Sequence, residues 1–195
     1  HALTCAPPET AAVVVHTGHP DTPEALRPLC GAGVAFKIAH QLARLHLDAE
    51  ARRALVQRLL PLAAIATVAD LVPLAGENRV VVSKGLEMLG TDGCSGHVGL
   101  HALKMASGLY GAVTARQIAF GIAPRINAAG RVGDPRNVLA LLRTRKPAEA
   151  RRLAAALEVD NAARRRKEAE AVEQALEAAA VQAAADANAI IVFRE

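Results

Sequence analysis

Aromatic residues are nearly missing from this 195-residue sequence, which holds three Phe, one Tyr and no Trp. That scarcity excludes nucleic-acid surfaces built on aromatic platforms, where successive bases stack on exposed rings. Cysteine is scarce as well. Cys5, Cys30 and Cys94 are odd in number, far apart and without a C-x-x-C pair. This argues against a disulfide scaffold or zinc ribbon and for a reducing, cytosolic setting. Long apolar runs are also wanting: the stretch from Leu59 to Ala69 contains Pro61 and Thr67 and stops at Asp70, too short to cross a bilayer. The opening residues lack the charged and apolar regions of a signal peptide. The chain starts at His rather than Met and stops at Ile-Ile-Val-Phe-Arg-Glu, where a strand is expected to begin. It reads as a segment of something longer.

What is abundant is alanine, about a fifth of the chain against a usual usage in which it is merely common. A core of Ala, Leu and Val favours closely packed helices. The length suits one domain, or one domain and a piece of another. A β-branched run at Ala11–Val15, bounded by Pro8 and by Gly18 with Pro20, reads as a buried strand. Helices follow. Val34, Ile38, Leu42, Leu45 and Leu47 trace one apolar face. Leu55, Leu59 and Leu62 trace a second, which Pro61 is expected to interrupt. Further helices are expected at Val80–Leu89, closed by Gly90, at Val98–Met105 and at Thr114–Ile122. Another, capped by Asp134-Pro135, should end near Thr144. From Pro147 to about Ala185 there is no Gly and no further Pro, which predicts a single helix of roughly 55 Å. A helix so long and polar is not expected to be an ordinary core element and reads as a bridge between domains. The predicted class is α/β, mostly helical in this segment.

The formal net charge is +4, but it is uneven. Nine Lys or Arg between Arg143 and Lys167 face only Glu149, Glu158 and Asp160. Such an excess on a bridging helix suits a polyanion alongside it, or simply a solvated face.

Gly31-Ala-Gly33-Val-Ala-Phe36-Lys37 fails both the dinucleotide fingerprint and the P-loop pattern, and reads as a tight helix start packed closely on a neighbour. His16/His19 and His97/His101 have metal-like spacings but no nearby Cys or carboxylate partners, and read as surface or loop histidines. Thr67-Val-Ala-Asp70-Leu-Val-Pro-Leu74 puts a lone carboxylate between apolar runs. Asp70 must cap the segment Leu71–Leu74, pair with an Arg such as Arg79, or bind a metal. Ala123-Pro-Arg125-Ile-Asn127-Ala-Ala-Gly130-Arg131 brackets small residues with two guanidinium forks. That pattern suits phosphate oxygens, or else an Arg–carboxylate lock around a turn.

Taken in order, Leu29–Lys37, Ala66–Leu74 with Gly76-Glu-Asn-Arg79, and Ile122–Gly133 resemble the RecJ-like single-strand-specific exonucleases of the DHH phosphoesterase superfamily. The resemblance implies that residues 1–146 are the C-terminal portion of a DHH catalytic domain and 147–187 an interdomain connector helix. Residues 188–195 would open a truncated DHHA1-type domain. It implies a two-metal site for Mn²⁺ or Mg²⁺ with most ligands outside this segment, Asp70 as a metal ligand, and His1 at the scissile phosphate. Arg125, Asn127 and Arg131 would bind substrate phosphate, and Arg164, Arg165 and Lys167 the nucleic-acid backbone. The implied activity is a 5′→3′ exonuclease on single-stranded DNA, acting in repair and recombination in the bacterial cytoplasm. A helicase and a single-strand-binding protein are the implied partners, with no membrane involved. This segment alone would be inactive. Two alternatives stay open: a phosphoesterase for small substrates such as oligonucleotides, cyclic dinucleotides or pyrophosphate, and a non-catalytic nucleic-acid-binding relative.

Overall fold

The structure, a computed structural model, describes residues 15–90, 94–182 and 191. Among these all regular structure is helical. The strands expected at Ala11–Val15 and Ala189–Phe193 fall almost wholly outside the described residues, and Val15 and Ile191 themselves have no regular structure. Helix α1 spans Gly31–His46, α2 Ala49–Ala69 and α3 Gly76–Gly90. After the short turn Cys94–Gly96 come α4, Val98–Ala106, and α5, Ala115–Gln117. A π-turn, Ile118–Ile122, leads directly into α6, Ala123–Ala129, followed by α7, Arg136–Arg143, and α8, Pro147–Gln182.

Several helix starts are held by side chains that accept from their open N–H groups. Asp48 accepts from the Ala51 N–H at 2.8 Å, satisfying one of the unpaired donors that open α2. Thr114 and Gln117 form a reciprocal capping box at α5. Asp134 accepts from the Arg136 N–H at 2.9 Å and from the Arg136 side chain, a pairing that holds its carboxyl below the usual range. The sequence places most of these helices correctly, and two of the departures lie at helix α3 and at Pro61. Helix α3 begins at Gly76, one turn before the apolar run, because Gly76 adopts φ +51 and lets the chain turn in early.

The second departure is at Pro61, which does not interrupt α2. A proline inside a helix loses its N–H and crowds the preceding turn, at a cost of about 3 kcal/mol. Here α2 runs on through Pro61, which is fully buried, and three residues before it the Arg58 carbonyl accepts from the His97 ring. His97, expected at the surface, is therefore a buried side chain that stitches α2 to the start of α4.

One core joins most of these helices, with Ile65 and Val68 of α2, Leu100 and Leu103 of α4, Ile118 and Ile122 of the π-turn, and Leu141 of α7. The long helix contributes to it directly. Ala150, Leu153, Ala154 and Leu157 are buried, as is Asn161, at a spacing that puts all of them on one face. Beyond Asn161 the apolar side chains Val172 and Leu176 are exposed. The first half of α8 is thus a core element after all, and only its second half leaves the helical body. A buried cation also lies in this half of the molecule. The Lys104 Nζ donates to the carbonyls of Leu89 at 2.7 Å and Gly111 at 2.8 Å, which compensates its loss of water.

Small residues set how near the helices come. A Cβ on Gly85 would lie 2.2 Å from the Ala64 Cβ, and one on Gly99 only 1.8 Å from the Leu141 carbonyl oxygen. The second neighbour is backbone and cannot rotate away. Gly99→Ala is expected to lower the unfolding free energy by about 1–3 kcal/mol in denaturant titrations. Gly121→Ala, whose nearest new contact is an ordinary 3.4 Å to Leu109, should stay within about 1 kcal/mol of the parent.

Candidate active site

Helix α2 ends at the residue the sequence singled out. Asp70 is its C-cap, with φ −86 and ψ 1, and its N–H still bonds the Ala66 carbonyl. Leu71 then takes φ +55, a left-handed conformation that a branched side chain rarely adopts, and it is 85% exposed. No helix forms over Leu71–Leu74, so the Asp70 side chain caps no following helix. Arg79 is exposed and makes no ion pair among the described residues. The Asp70 carboxylate is itself exposed and has no hydrogen-bond or salt-bridge partner among them.

That carboxylate opens on a cleft of about 620 Å³. Leu62, Ile65 and Leu100 form part of its apolar lining, the Gly31–Ala32 start of α1 another part, and Asn127 of α6 a second polar group. All three sequence stretches singled out above therefore contribute to one cavity. The glycine stretch does so for a different reason from the one expected. Nothing lies within 4 Å of a Cβ built on Gly31, and the contacts of Gly33 are ordinary. The absent side chain of Gly31 leaves the cleft open on this side, and neither glycine admits a neighbouring helix. The N-terminus of α1 carries the positive end of its dipole to this opening. It is capped by a thiol: Cys30 Sγ accepts from the Gly33 N–H at 3.3 Å and lies 3.6 Å from the Thr67 hydroxyl.

Residues Ala123–Ala129 form a helix rather than a turn, ending before Arg131, and the π-turn ahead of it sets its register. Its extra residue per turn advances the following side chains by about 100° around the axis. Asn127 then lines the cleft, while Arg125 points to α8. The Arg125 Nε pairs with Glu158, and its Nη1 donates to the Gly121 carbonyl at 2.6 Å. An Arg–carboxylate lock of the kind the sequence allowed is present, with only 13% of the Arg125 side chain exposed. Arg131 lies past the end of α6, exposed and without a side-chain partner among the described residues, but it does not line the cleft.

On α8, Arg164 pairs with Glu168 at 2.7 Å and Arg165 approaches Glu158 at 3.7 Å, whereas Lys167 is exposed and unpaired among the described residues. His1 lies outside the described residues. Among those that are described, no three His, Cys, Asp or Glu gather closely enough to hold a metal. Asp70 fits as one hard oxygen ligand for a divalent ion, with the others to be supplied from elsewhere. The cap by Cys30, the π-turn and the partnership with Glu158 escaped the sequence reading. Glu158 had a signal, as a carboxylate amid a basic helix, but its partner is 33 residues away.

No protein-family model matches the chain. It is 36% identical over 182 residues to the single-stranded-DNA-specific exonuclease RecJ of Bacillus subtilis, covering 93% of this chain. It is 40% identical over 173 residues to that of Thermus thermophilus, covering 88%. The chain is homologous to the RecJ exonucleases. It spans only 22% and 24% of those two relatives. Two RecJ crystal structures agree with it in fold. One, an exonuclease RecJ bound to manganese, superposes with a TM-score of 0.75 at 36% identity, over 89% of this chain and 42% of that one. The other, Thermus thermophilus RecJ with Mn²⁺, gives 0.67 at 40% identity over 80% of this chain and 22% of that one. The chain thus matches a helical part of the RecJ fold.

The Arg125–Glu158 lock has a measurable consequence. Replacing either residue by Ala should destabilise the fold by about 1.5–3 kcal/mol, the range for hydrogen bonds to charged groups. A double-mutant cycle should return a coupling of about 1 kcal/mol or more. An Arg125 engaged only with ligand would leave the stability of the free protein unchanged.

Proposed function

We propose that this chain is part of a divalent-metal-dependent, 5′→3′ exonuclease for single-stranded DNA, to which it contributes one metal ligand and the phosphate contacts beside it. The observation that carries the reading is the unpaired Asp70 carboxylate opening on the same cleft as Asn127 and the start of α1. A carboxylate left without cap or cation at a cleft rim is a ready ligand for a hard cation. The RecJ relatives are named single-stranded-DNA-specific exonucleases, and similar structures hold Mn²⁺ or Mg²⁺.

Bound divalent ions supply the positive charge that activates water and offsets charge developing on the phosphate. Asp70 holds such an ion from the α2 side of the cleft. Its partners, and His1 as a contact to the scissile phosphate, belong to segments outside the described residues. Asn127 donates its side-chain amide to a phosphate oxygen in the cleft. Arg131 has a free guanidinium and anchors the 5′-terminal phosphate. Arg125 acts chiefly through Glu158, which leaves its Nη2 for a ligand. Lys167, with Arg164 and Arg165, follows the strand along α8. Contacts of this kind address the backbone and not the bases, which makes digestion indifferent to sequence. The second half of α8 is the connector to a DHHA1-type domain beginning near residue 188, and the DHH portion includes the packed first half. The enzyme works in bacterial repair and recombination in the cytoplasm, beside a helicase and a single-strand-binding protein. No helix among the described residues is long and apolar enough to cross a membrane.

The test uses the full-length protein that carries this chain and a 5′-phosphorylated single strand with Mn²⁺. Stepwise loss from the 5′ end is expected, and Asp70→Ala should slow it by about 10³-fold, equivalent to roughly 4 kcal/mol of transition-state stabilisation. No digestion by a folded, metal-loaded parent would remove the reading. Arg131→Ala should raise KM for the phosphorylated strand. It should also reduce the slope of log affinity against log salt by about 0.7, the value for one phosphate contact on a single strand.

A further inference from the structure

The turn that carries Asp70 has little regular structure to hold it. Residues 71–75 form no helix, and Leu71 sits in the left-handed region. Such a backbone persists only where its surroundings over-determine it. One side chain supplies that constraint. Asn78, in the first turn of α3, is 3% exposed. Its Nδ2 donates to the Pro73 carbonyl at 3.0 Å and to the Pro28 carbonyl, also at 3.0 Å. The first acceptor lies three residues past Asp70, and the second three residues before Gly31. Both donor hydrogens of the amide are thus spent on the two chain segments that flank the cleft mouth.

Two weaker links run the same way. Cys30 meets Thr67 one turn before Asp70, and Lys37 pairs with Glu77 at 2.8 Å on the exposed side. Among the described residues, Asn78 is the one side chain that hydrogen-bonds to residues 71–75. We propose that Asn78 is a positioning residue for Asp70: its amide clamps the turn after Asp70 to the segment leading into α1, and so holds the carboxylate at a set distance from the Gly31–Ala32 end of the cleft. This rests on the reading of Asp70 as a metal ligand and extends it to a residue that touches neither metal nor substrate.

The experiment measures Mn²⁺ binding directly, from the electron-paramagnetic-resonance signal of free Mn²⁺, in the full-length protein and its Asn78→Ala variant. Steady-state kinetics on a 5′-phosphorylated single strand run beside it. Outer-shell partners of metal ligands typically change metal affinity by about 10–100-fold. Asn78→Ala is expected to weaken Mn²⁺ binding by about tenfold and to lower kcat, while KM for the strand at saturating Mn²⁺ moves less than about twofold. Lys37→Met, which breaks the exposed ion pair alone, should bind Mn²⁺ as the parent does. Asn78→Ser, which keeps one donor, should fall between parent and Ala, and it serves as the readout if the Ala variant folds poorly. If Asp70→Ala weakens Mn²⁺ binding but the folded Asn78 variants bind as the parent does, the positioning role is overturned and the metal reading stands. If Asp70→Ala binds as the parent does, both are overturned.

Discussion

The rest of the structure depends on how tightly the last turns of α2 are enclosed. Leu60, Ala63, Ala64, Ile65 and Val68 are all buried, and α1, α3, α6 and the π-turn pack around them. A chain almost without aromatic side chains cannot fill wide gaps, so its helices must approach closely, and they do so where Ala or Gly allows it. Gly85 against Ala64 is the clearest instance. Enclosure of this kind holds the last turns of α2. Asp70 is the first exposed residue beyond them, where the enclosed helix gives way to the turn that Asn78 clamps.

The same body uses charge in two ways. Some charged groups are structural: Lys104 ties the end of α3 to the loop before α5, and Arg125 with Glu158 ties α6 to α8. These are buried or half-buried and have partners, as the cost of desolvation requires. Others face solvent without a partner among the described residues, as Asp70, Arg131 and Lys167 do. The basic excess of α8 is divided in this manner. Arg164 and Arg165 are engaged with Glu168 and Glu158, so less of that charge is available to a polyanion than the sequence alone would suggest. The two sets are interleaved, since Glu158 serves both Arg125 inside and Arg165 outside.

Much of this was legible in the residues. Apolar spacing and caps located most of the helices, because their periodicity and end signals are local. The resemblance carried by Asp70 and the Arg125–Arg131 segment led to the RecJ relatives, which the comparisons bear out. Pro61 misled because the rule against proline inside a helix is local, whereas the burial that holds this stretch of α2 together is tertiary. The long helix misled because overall polarity hid a narrow buried stripe, Ala150 to Leu157, that only a partner surface makes visible.

The sequence by itself determined the helical character, the close packing that follows from Ala and Gly, and which residues could carry chemistry. Those are properties of side chains and their immediate neighbours along the chain. Only the tertiary structure decided which arginine is locked and which is free, and that Gly31 faces a cleft rather than a neighbouring helix. It alone brought Asp70, Asn127 and the start of α1 to one cleft. Each of these depends on distances between segments 30 to 100 residues apart in the chain, and no local pattern encodes such a distance.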